Sequence, residues 1–193
     1  QKPGFFLTFD DGLQEIYEVV RPLLLEYGVP AGIFINPAFV DNQDMFFRFK
    51  MSILLERCNT LPGTQLRMIR EIFNDNNTEK AMRKVKYNQR IILDKAAEIM
   101  EISFADYLIK NKPYMSWNQI NTLQKDGFYI GAHSMDHPLY RDLSLAEQIS
   151  QTQQSLDVVQ NQLQLDYRIF AFPFTEYGVS QPFFDSIKAN ILF

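Results

Sequence analysis

Residues 5–12 read FFLTFDDG, a short apolar run that ends in two adjacent aspartates and a glycine. The β-prone part, Phe5–Phe9, predicts a buried strand. LQEIYEVVRPLLLEYG follows with apolar residues at helical spacing, and it closes on Gly28. Pro22 is expected to kink or divide this helix. The next apolar run, AGIFIN (31–36), predicts a second strand, and the order strand, helix, strand is typical of a parallel α/β unit.

Residues 44–112 interrupt this pattern with amphipathic helical segments, among them MSILLERC and EKAMRKVKYNQRIILDKAAEIM. Basic residues concentrate here: Arg83, Lys84, Lys86 and Arg90. The favoured interpretation is the solvated face of an inserted helical subdomain. The alternative is a surface for an anionic ligand or partner.

The α/β pattern resumes with SWNQINTLQKDG, a predicted helix with Ser116 as N-cap and Gly127 as its stop. FYIGAH predicts a strand, and a polar helix follows in which Ser144 and Glu147 have capping-box spacing at the start. YRIFAFPF predicts another strand, and QPFFDSIKAN predicts a last helix. About four strands are too few for a closed eight-stranded barrel, which takes ~250 residues. We therefore predict an incomplete barrel or an open α/β sheet.

Composition excludes some classes of function. The formal net charge of −4 and the lack of a basic face argue against a nucleic-acid partner. No apolar run approaches the ~20 residues of a membrane helix. The single cysteine, Cys58, cannot form an intrachain disulfide and is interpreted as a small buried residue on a helix. No signal peptide is visible, but the chain begins at Gln1 rather than methionine, so cytoplasm and cell envelope both stay open, as does the oligomeric state.

The two histidines, His133 and His137, fall together in GAHSMDHP, directly after a predicted strand. LTFDDG also ends a predicted strand, and the ends of parallel strands share one edge of a sheet. Two imidazoles and a carboxylate would leave a divalent metal such as zinc with open positions for water and substrate. Asp-Asp-Gly alone is more often a turn, and His-x-x-x-His alone is more often structural. Their coincidence at strand ends favours a metal site.

The doubled aspartate fits such a site, because adjacent residues on an extended chain point in different directions. One carboxylate would bind the metal while its neighbour faces the substrate water, and Gly12 would let the chain turn. An iron oxygenase with a 2-His-1-carboxylate site is the last-ranked alternative. Its carboxylate usually lies two residues after the first histidine, where this chain has Met135.

TFDDG, HSMDH and FAFPF, in this order, resemble the motifs of the polysaccharide deacetylase family (the NodB-like domain, carbohydrate esterase family four) from Phe5 to about Tyr177. The resemblance implies a distorted (β/α) barrel, with residues 1–193 as the catalytic domain and the helical insert at about 44–112. It implies hydrolysis of acetyl groups, N-acetyl before O-acetyl, from an acetylated glycan. It also implies a divalent cofactor, with zinc favoured over cobalt, nickel or another ion.

The resemblance also assigns roles by motif position. Asp10 would be the catalytic base, and Phe174 would offer its backbone N–H to the oxyanion. Ser134 would support the histidine loop. The metal ligands would be Asp11, His133 and His137.

Two departures from the family pattern matter. Ala171 stands where many members have an arginine that orients the base. The family's late leucine-x-histidine motif, whose histidine protonates the leaving amine, has no counterpart after His137, so the C-terminal part of the family domain is expected to lie outside this chain. A catalytically impaired relative that binds metal and glycan without turnover is therefore the alternative.

Several side chains near the motifs have two interpretations. Aromatic rings pack on the C–H faces of sugars, so a groove role is open to Trp117, Tyr140, Phe172 and Tyr177, but core packing is the favoured interpretation for each. Asp136, between the histidines, is expected to be a solvated or turn-capping residue, with support of a metal ligand as the alternative.

Overall fold

The computed structural model describes residues 4–188 and has a parallel three-stranded sheet. The strands are β1 (Leu7–Phe9), β2 (Ala31–Ile35) and β3 (Tyr129–Ala132), in the spatial order β1-β2-β3. Leu7 lies opposite Ala31 in the register of the first pair. The central strand β2 is almost wholly buried, as its continuous apolar sequence predicts. The parallel α/β architecture predicted from the opening residues is confirmed.

The first strand differs from its prediction. It begins at Leu7 rather than Phe5, and the side chains of Phe5 and Phe6 are exposed. Within the described residues β1 is an edge strand that pairs only with β2. Among these residues its other edge has no neighbouring strand to cover it, so a longer strand here would not be buried. The prediction of a buried strand over Phe5–Phe9 was therefore wrong in length and in burial.

The helix between β1 and β2 is divided as Pro22 predicts. A π-helical turn, Ile16–Val20, leads into α1 (Arg21–Tyr27), which has Pro22 in its first turn. Proline has no backbone N–H, and the first turn of a helix tolerates that loss. Gly28 ends α1 in the left-handed conformation, with its N–H directed to the carbonyls of the last turn.

Helix α7 (Trp117–Lys125) precedes β3, and α8 (Leu145–Leu163) follows it. Both begin with a capping box, formed by Ser116 with Gln119 and by Ser144 with Glu147. The predicted helix starts are thus confirmed. Helix α9 (Gln181–Ile187) is the last helix within residues 4–188. It matches the start of the helix predicted for QPFFDSIKAN, and the last two residues of that prediction lie outside the described residues.

YRIFAFPF does not form the predicted fourth strand and pairs with β3 only through a single bridge, between Phe170 and Ala132. The Ala132 N–H donates to Ile169 O, and the Ala171 N–H donates to Ala132 O. The ladder stops there because His133 directs its side-chain Nδ1 to Ala171 O. Pro173, two residues on, has no N–H to donate.

The core of this α/β unit lies between the sheet and its helices. It joins Ile33 and Ile35 of β2 to apolar residues of α7, α8 and α9, including Leu123, Leu156 and Phe183. Tyr140 is fully buried here, and its hydroxyl lies 2.8 Å from Thr152 Oγ1. The core packing favoured for Tyr140 is therefore confirmed, and the alternative groove role is excluded because the ring has no surface to offer a ligand.

Residues 45–111 form a second compact unit with a core of its own. Its helices are α2 (Phe47–Cys58), α3 (Gly63–Phe73), α4 (Thr78–Arg83), α5 (Ile91–Ile99) and α6 (Phe104–Asn111). Cys58 is buried at the end of α2, where burial raises the pKa of its thiol, as expected for a structural cysteine. Arg83, Lys84, Lys86 and Arg90 are all exposed.

No helix within residues 4–188 is both long enough and apolar enough to span a bilayer.

Candidate metal centre

The two motifs meet at one edge of the sheet, as the strand ends predict. Asp10 and Asp11 follow β1, and His133 directly follows β3. The His133 N–H donates to Ile35 O at 2.8 Å, which continues the pairing of β2 with β3 up to the first histidine. The carboxylate motif and the histidine motif are therefore held by the same sheet.

Asp11 reaches the histidines through a turn, not through the extended chain that the sequence argument assumed. Its φ is 71°, and that of Gly12 is 69°. A Cβ atom on Gly12 would lie 3.2 Å from Ile35 Cγ2, so a side chain here would crowd β2. The expected separation of the two carboxylates still results: Asp10 is exposed, whereas Asp11 is only partly exposed and its Oδ1 atom is buried.

Three potential ligand atoms converge at this edge. Oδ1 of Asp11 lies 3.1 Å from Nε2 of His137 and 3.6 Å from Nε2 of His133. One ligand atom from each residue fits within a mutual distance of 4.8 Å. Both imidazoles are almost completely buried. The structure thus brings together the three residues that the sequence predicted as ligands.

His133 is oriented by a backbone carbonyl. Its Nδ1 atom lies 2.9 Å from Ala171 O, which makes Nδ1–H the donor and leaves the lone pair on Nε2, facing Asp11. Ligand histidines in metal sites are commonly fixed in this way. Ala171, noted from sequence only for the arginine it replaces, thereby contributes its carbonyl to the site.

The histidine loop contains two left-handed residues, Ser134 at φ 63° and His137 at φ 62°. The Ser134 side chain is fully buried, and its Oγ atom accepts a hydrogen bond from the His137 N–H at 3.0 Å. This contact closes the loop between the two histidines and directs both rings to the same side. Their ring centroids are 4.9 Å apart.

The electrostatics favour the protonation states that bind a cation. Burial raises the pKa of Asp11, but the imidazole of His137 and the charge of His133 outweigh it, so this pKa lies below its ordinary value. Burial, aided by the neighbouring His137, lowers the pKa of His133, and together they outweigh the charges of Asp10 and Asp11 and the hydrogen bond to Ala171. An ionised carboxylate and a neutral imidazole are the forms that ligate metals.

This donor set fits a divalent metal. Ligand atoms ~2.0–2.2 Å from a tetrahedral zinc lie roughly 3.4 Å from one another, close to the two distances from Asp11 Oδ1. That oxygen is buried and makes no hydrogen bond of good geometry with any other described residue. An uncompensated buried carboxylate oxygen is costly unless a cation offsets its charge.

The remaining residues singled out from the sequence are Phe174, the aromatic groove candidates and Asp136. The ring of Phe174 is half exposed, stands edge-on 4.6 Å from the ring of His137, and its backbone has φ 62°. Trp117 and Phe172 pack partly against the core, whereas Tyr177 is mostly exposed. Of the groove candidates, only Tyr177 is thus largely free of core packing. Asp136 accepts a hydrogen bond from Gln151 Nε2 at 2.8 Å.

Sequence reasoning missed two residues that contact the histidine loop. Asn36 ends the AGIFIN run, and its buried Nδ2 atom donates to the carbonyls of His133 and Ser134. Gln151 contacts the loop from α8. A polar residue at the end of a predicted central strand was the available signal for Asn36, since the other two strand ends had already supplied candidates.

Comparison with known proteins agrees with the motifs. The family profile described as polysaccharide deacetylase matches residues 1–181. The chain belongs to the polysaccharide deacetylase family. The sequence matches no curated protein.

Among solved structures, the chain resembles the Streptococcus pyogenes deacetylase PplD in complex with acetate (TM-score 0.55, 15% identity, 98% of this chain and 53% of that one). It also resembles IcaB from Ammonifex degensii (TM-score 0.52, 17% identity, 98% of this chain and 58% of that one). A third similar structure is the BpsB deacetylase domain from Bordetella bronchiseptica (TM-score 0.51, 15% identity, 95% of this chain and 59% of that one). At these identities the likeness concerns the fold, and the predicted distorted or incomplete (β/α) barrel is confirmed. The chain spans a little over half the length of these structures.

Proposed function

We propose that this member of the family is a metal-dependent hydrolase that removes acetyl groups, N-acetyl in preference to O-acetyl, from a carbohydrate. The observation that carries the proposal is the convergence of Asp11, His133 and His137, with Nδ1 of His133 bound to a carbonyl and Nε2 turned to the carboxylate. The proposed catalytic domain is residues 1–193, with the helical segment as an insert.

The proposed cofactor is zinc, held by Asp11, His133 and His137. Two imidazole nitrogens and one carboxylate oxygen are also donors that cobalt and nickel accept, so metal analysis must identify the ion. When bound, a divalent cation would supply Lewis acidity to the acetyl carbonyl and to the attacking water.

Asp10 is the proposed general base. It directly precedes the ligand Asp11, is exposed to solvent where a substrate would approach, and its charge acts on His133. In the hydrolysis the Asp10 carboxylate accepts the proton that water loses as its oxygen attacks the acetyl carbon. The N–H of Phe174 is the proposed donor to the oxygen that becomes negative, and losing one such donor typically costs ~100-fold or more in rate. The C–N bond then breaks as the nitrogen takes up a proton, balanced by the one that Asp10 accepted, and the products are acetate and the free amine of the sugar.

A binding role without turnover is the second candidate. The observation that favours it is Ala171, which cannot orient Asp10 as an arginine would, because its side chain is a methyl group. Under this alternative the metal and a glycan would bind but no acetate would be released.

The first experiment is metal analysis of purified protein. Wild type is expected to carry a stoichiometric divalent ion, and Asp11→Asn and His133→Ala are expected to lose most of it. Asp185→Asn, which alters an exposed aspartate on α9, is the matched control and should retain the ion. Full retention of the metal by both ligand variants would refute the proposed centre.

The second experiment measures acetate release from N-acetylated and O-acetylated oligosaccharides. Asp10→Asn should keep its metal but release acetate ~100-fold to 10,000-fold more slowly, the usual contribution of a positioned base. Metal binding by wild type without any acetate release would support the binding alternative. Equal rates for wild type and Asp10→Asn would exclude Asp10 as the base.

A further inference from the structure

The loop from His133 to His137 has a conformation that its own sequence does not favour. Ser134 and His137 both have positive φ, a region that residues with a Cβ rarely adopt, and neither is glycine. Such a backbone persists only where surrounding contacts hold it. The structure identifies two side-chain amides, from different elements, that supply contacts of this kind.

The first amide is that of Asn36, which directly follows β2 and is 1% exposed. Its Nδ2 atom donates to His133 O and to Ser134 O, the latter at 3.2 Å, and lies 3.4 Å from Ser134 Oγ. These acceptors include both peptide carbonyls at the start of the loop. Asn36 therefore fixes the point where the chain leaves β3 and turns to place the first imidazole.

The second amide is that of Gln151, on the first half of α8. Its Oε1 atom accepts a hydrogen bond from the Met135 N–H at 2.9 Å, and its Nε2 atom donates to Asp136 Oδ1 at 2.8 Å. Gln151 thus holds the middle of the loop, between the histidines, while Asn36 holds its beginning. Together the two amides contact Ser134, Met135, Asp136 and the backbone of His133.

The side-chain oxygen of Asn36 lacks a hydrogen bond within residues 4–188, and this bears on the role of the residue. Its Oδ1 atom is buried and has no hydrogen-bond partner among the described residues. A buried amide oxygen without a partner destabilises the folded protein. An apolar residue would avoid that cost but would leave the carbonyls of His133 and Ser134 without this donor, so what the asparagine specifically supplies is the orientation of these two carbonyls.

We propose that Asn36 and Gln151 are positioning residues that hold the His133–His137 loop in the geometry required to bind the metal. The inference rests on the proposed function, since it concerns the same metal centre. The hydrogen bonds described above join them to the loop backbone, to Ser134 and to Asp136. Each acts through the backbone or through Asp136, and Asp136 thereby links the loop to α8.

The test compares Asn36→Ala, Gln151→Ala and Gln154→Ala. Gln154 lies on the same helix as Gln151 but is exposed, and among residues 4–188 its side chain hydrogen-bonds only Ser150, so it is the matched control. Zn²⁺ and Co²⁺ affinities are measured by titration of the metal-free proteins, and the visible spectrum of bound Co²⁺ reports the coordination geometry. Supporting contacts of ligands typically contribute 10-fold to 100-fold to metal affinity.

We expect both Asn36→Ala and Gln151→Ala to bind Zn²⁺ at least about 10-fold more weakly than wild type and to alter the Co²⁺ spectrum. Gln154→Ala should match wild type in both. If the two variants keep wild-type affinity and spectrum while their melting temperatures fall, the amides are structural only and the proposal is overturned. Should Asn36→Ala fail to fold, Gln151→Ala, at a partly exposed site, decides the question alone.

Wild-type protein separates this inference from the proposed function. If wild type binds no Zn²⁺ or Co²⁺, the metal centre itself is wrong and both proposals are overturned. If wild type and Gln154→Ala bind the ions while Asn36→Ala and Gln151→Ala bind them equally well, only the positioning role is overturned.

Discussion

At the scale of single residues, the conformation of Asp11 distinguishes the two adjacent carboxylates. Its left-handed backbone turns Oδ1 towards the imidazoles of His133 and His137, while Asp10 stays exposed. An ordinary β conformation at position 11 would continue the line of β1. The Asp-Asp-Gly sequence is therefore a turn, as such sequences usually are, and the turn is what forms the candidate site.

Gly12 gives a direct test of this turn. Gly12→Ala places a Cβ at φ 69° and 3.2 Å from Ile35 Cγ2, whereas Gly28→Ala meets a similar φ of 62° with nothing within 4 Å. The left-handed backbone alone costs about 1–2 kcal/mol, and overpacking adds roughly 1–3 kcal/mol. Urea unfolding should therefore show a larger loss of stability for Gly12→Ala than for Gly28→Ala. Equal losses would mean that β2 relaxes away from the turn.

The residues of the candidate metal centre could be predicted from sequence to different extents. Asp11, His133 and His137 are conspicuous because a carboxylate or an imidazole directly after an apolar strand indicates a possible functional site. Asn36 is not conspicuous, because an amide at a strand end is common and its partners are backbone carbonyls that carry no sequence signal. For Tyr140 core packing was the favoured interpretation, but a groove role stayed open because its burial depends on residues far along the chain, including Phe183.

At the scale of elements, the helices with local start and stop signals could be predicted best. The capping boxes of α7 and α8 are encoded within four residues, so no tertiary information is needed to find them. The failed fourth strand shows the opposite case. Its residues have strand propensity, but its pairing depends on Ala171 O, which bonds a histidine side chain instead of a backbone N–H. Propensity within the segment cannot reveal that competition.

The N-cap of α8 can be tested through Ser144. Ser144→Ala removes the hydroxyl that accepts from the Glu147 N–H, and loss of such a cap costs about 0.5–2 kcal/mol. Ser150→Ala changes the same residue type inside the same helix, where alanine is favourable, and should have little effect. The readout is the urea midpoint of each variant. A loss for Ser150→Ala as large as that for Ser144→Ala would indicate that the cap contributes nothing specific.

The same cap predicts a pH dependence. Hydrogen bonds from the hydroxyl and backbone N–H of Ser144 hold the pKa of Glu147 below its ordinary value. A lowered pKa in the folded state means that the stabilisation is present above the ordinary glutamate pKa and is lost as pH falls through the folded value. Glu147→Gln should therefore be less stable than wild type near neutral pH, and the difference should shrink in acid. A difference that stays constant down to acid pH would contradict this account.

At the scale of the whole molecule, the chain forms two compact units, and each has its own buried core. The three candidate ligands and both supporting amides belong to the unit that contains the sheet. Within that unit Asn42, just before the helical segment, bonds the N–H and the carbonyl of Tyr114, just after it. The two ends of the interruption are thus joined inside the α/β unit itself.

Separate cores predict separable responses to mutation and to metal. Leu54 is fully buried in the helical unit and Leu123 almost fully in the α/β unit, so substitution of either by alanine should cost about 2–5 kcal/mol in its own unit. A metal ion at 100 times its Kd should add about 2.7 kcal/mol, but only to the unit that binds it. In calorimetry, Co²⁺ should therefore raise the transition that Leu123→Ala lowers and leave unchanged the one that Leu54→Ala lowers. A single transition shifted by both substitutions and by Co²⁺ would show instead that the two cores unfold as one, and that the helical segment contributes directly to the stability of the metal centre.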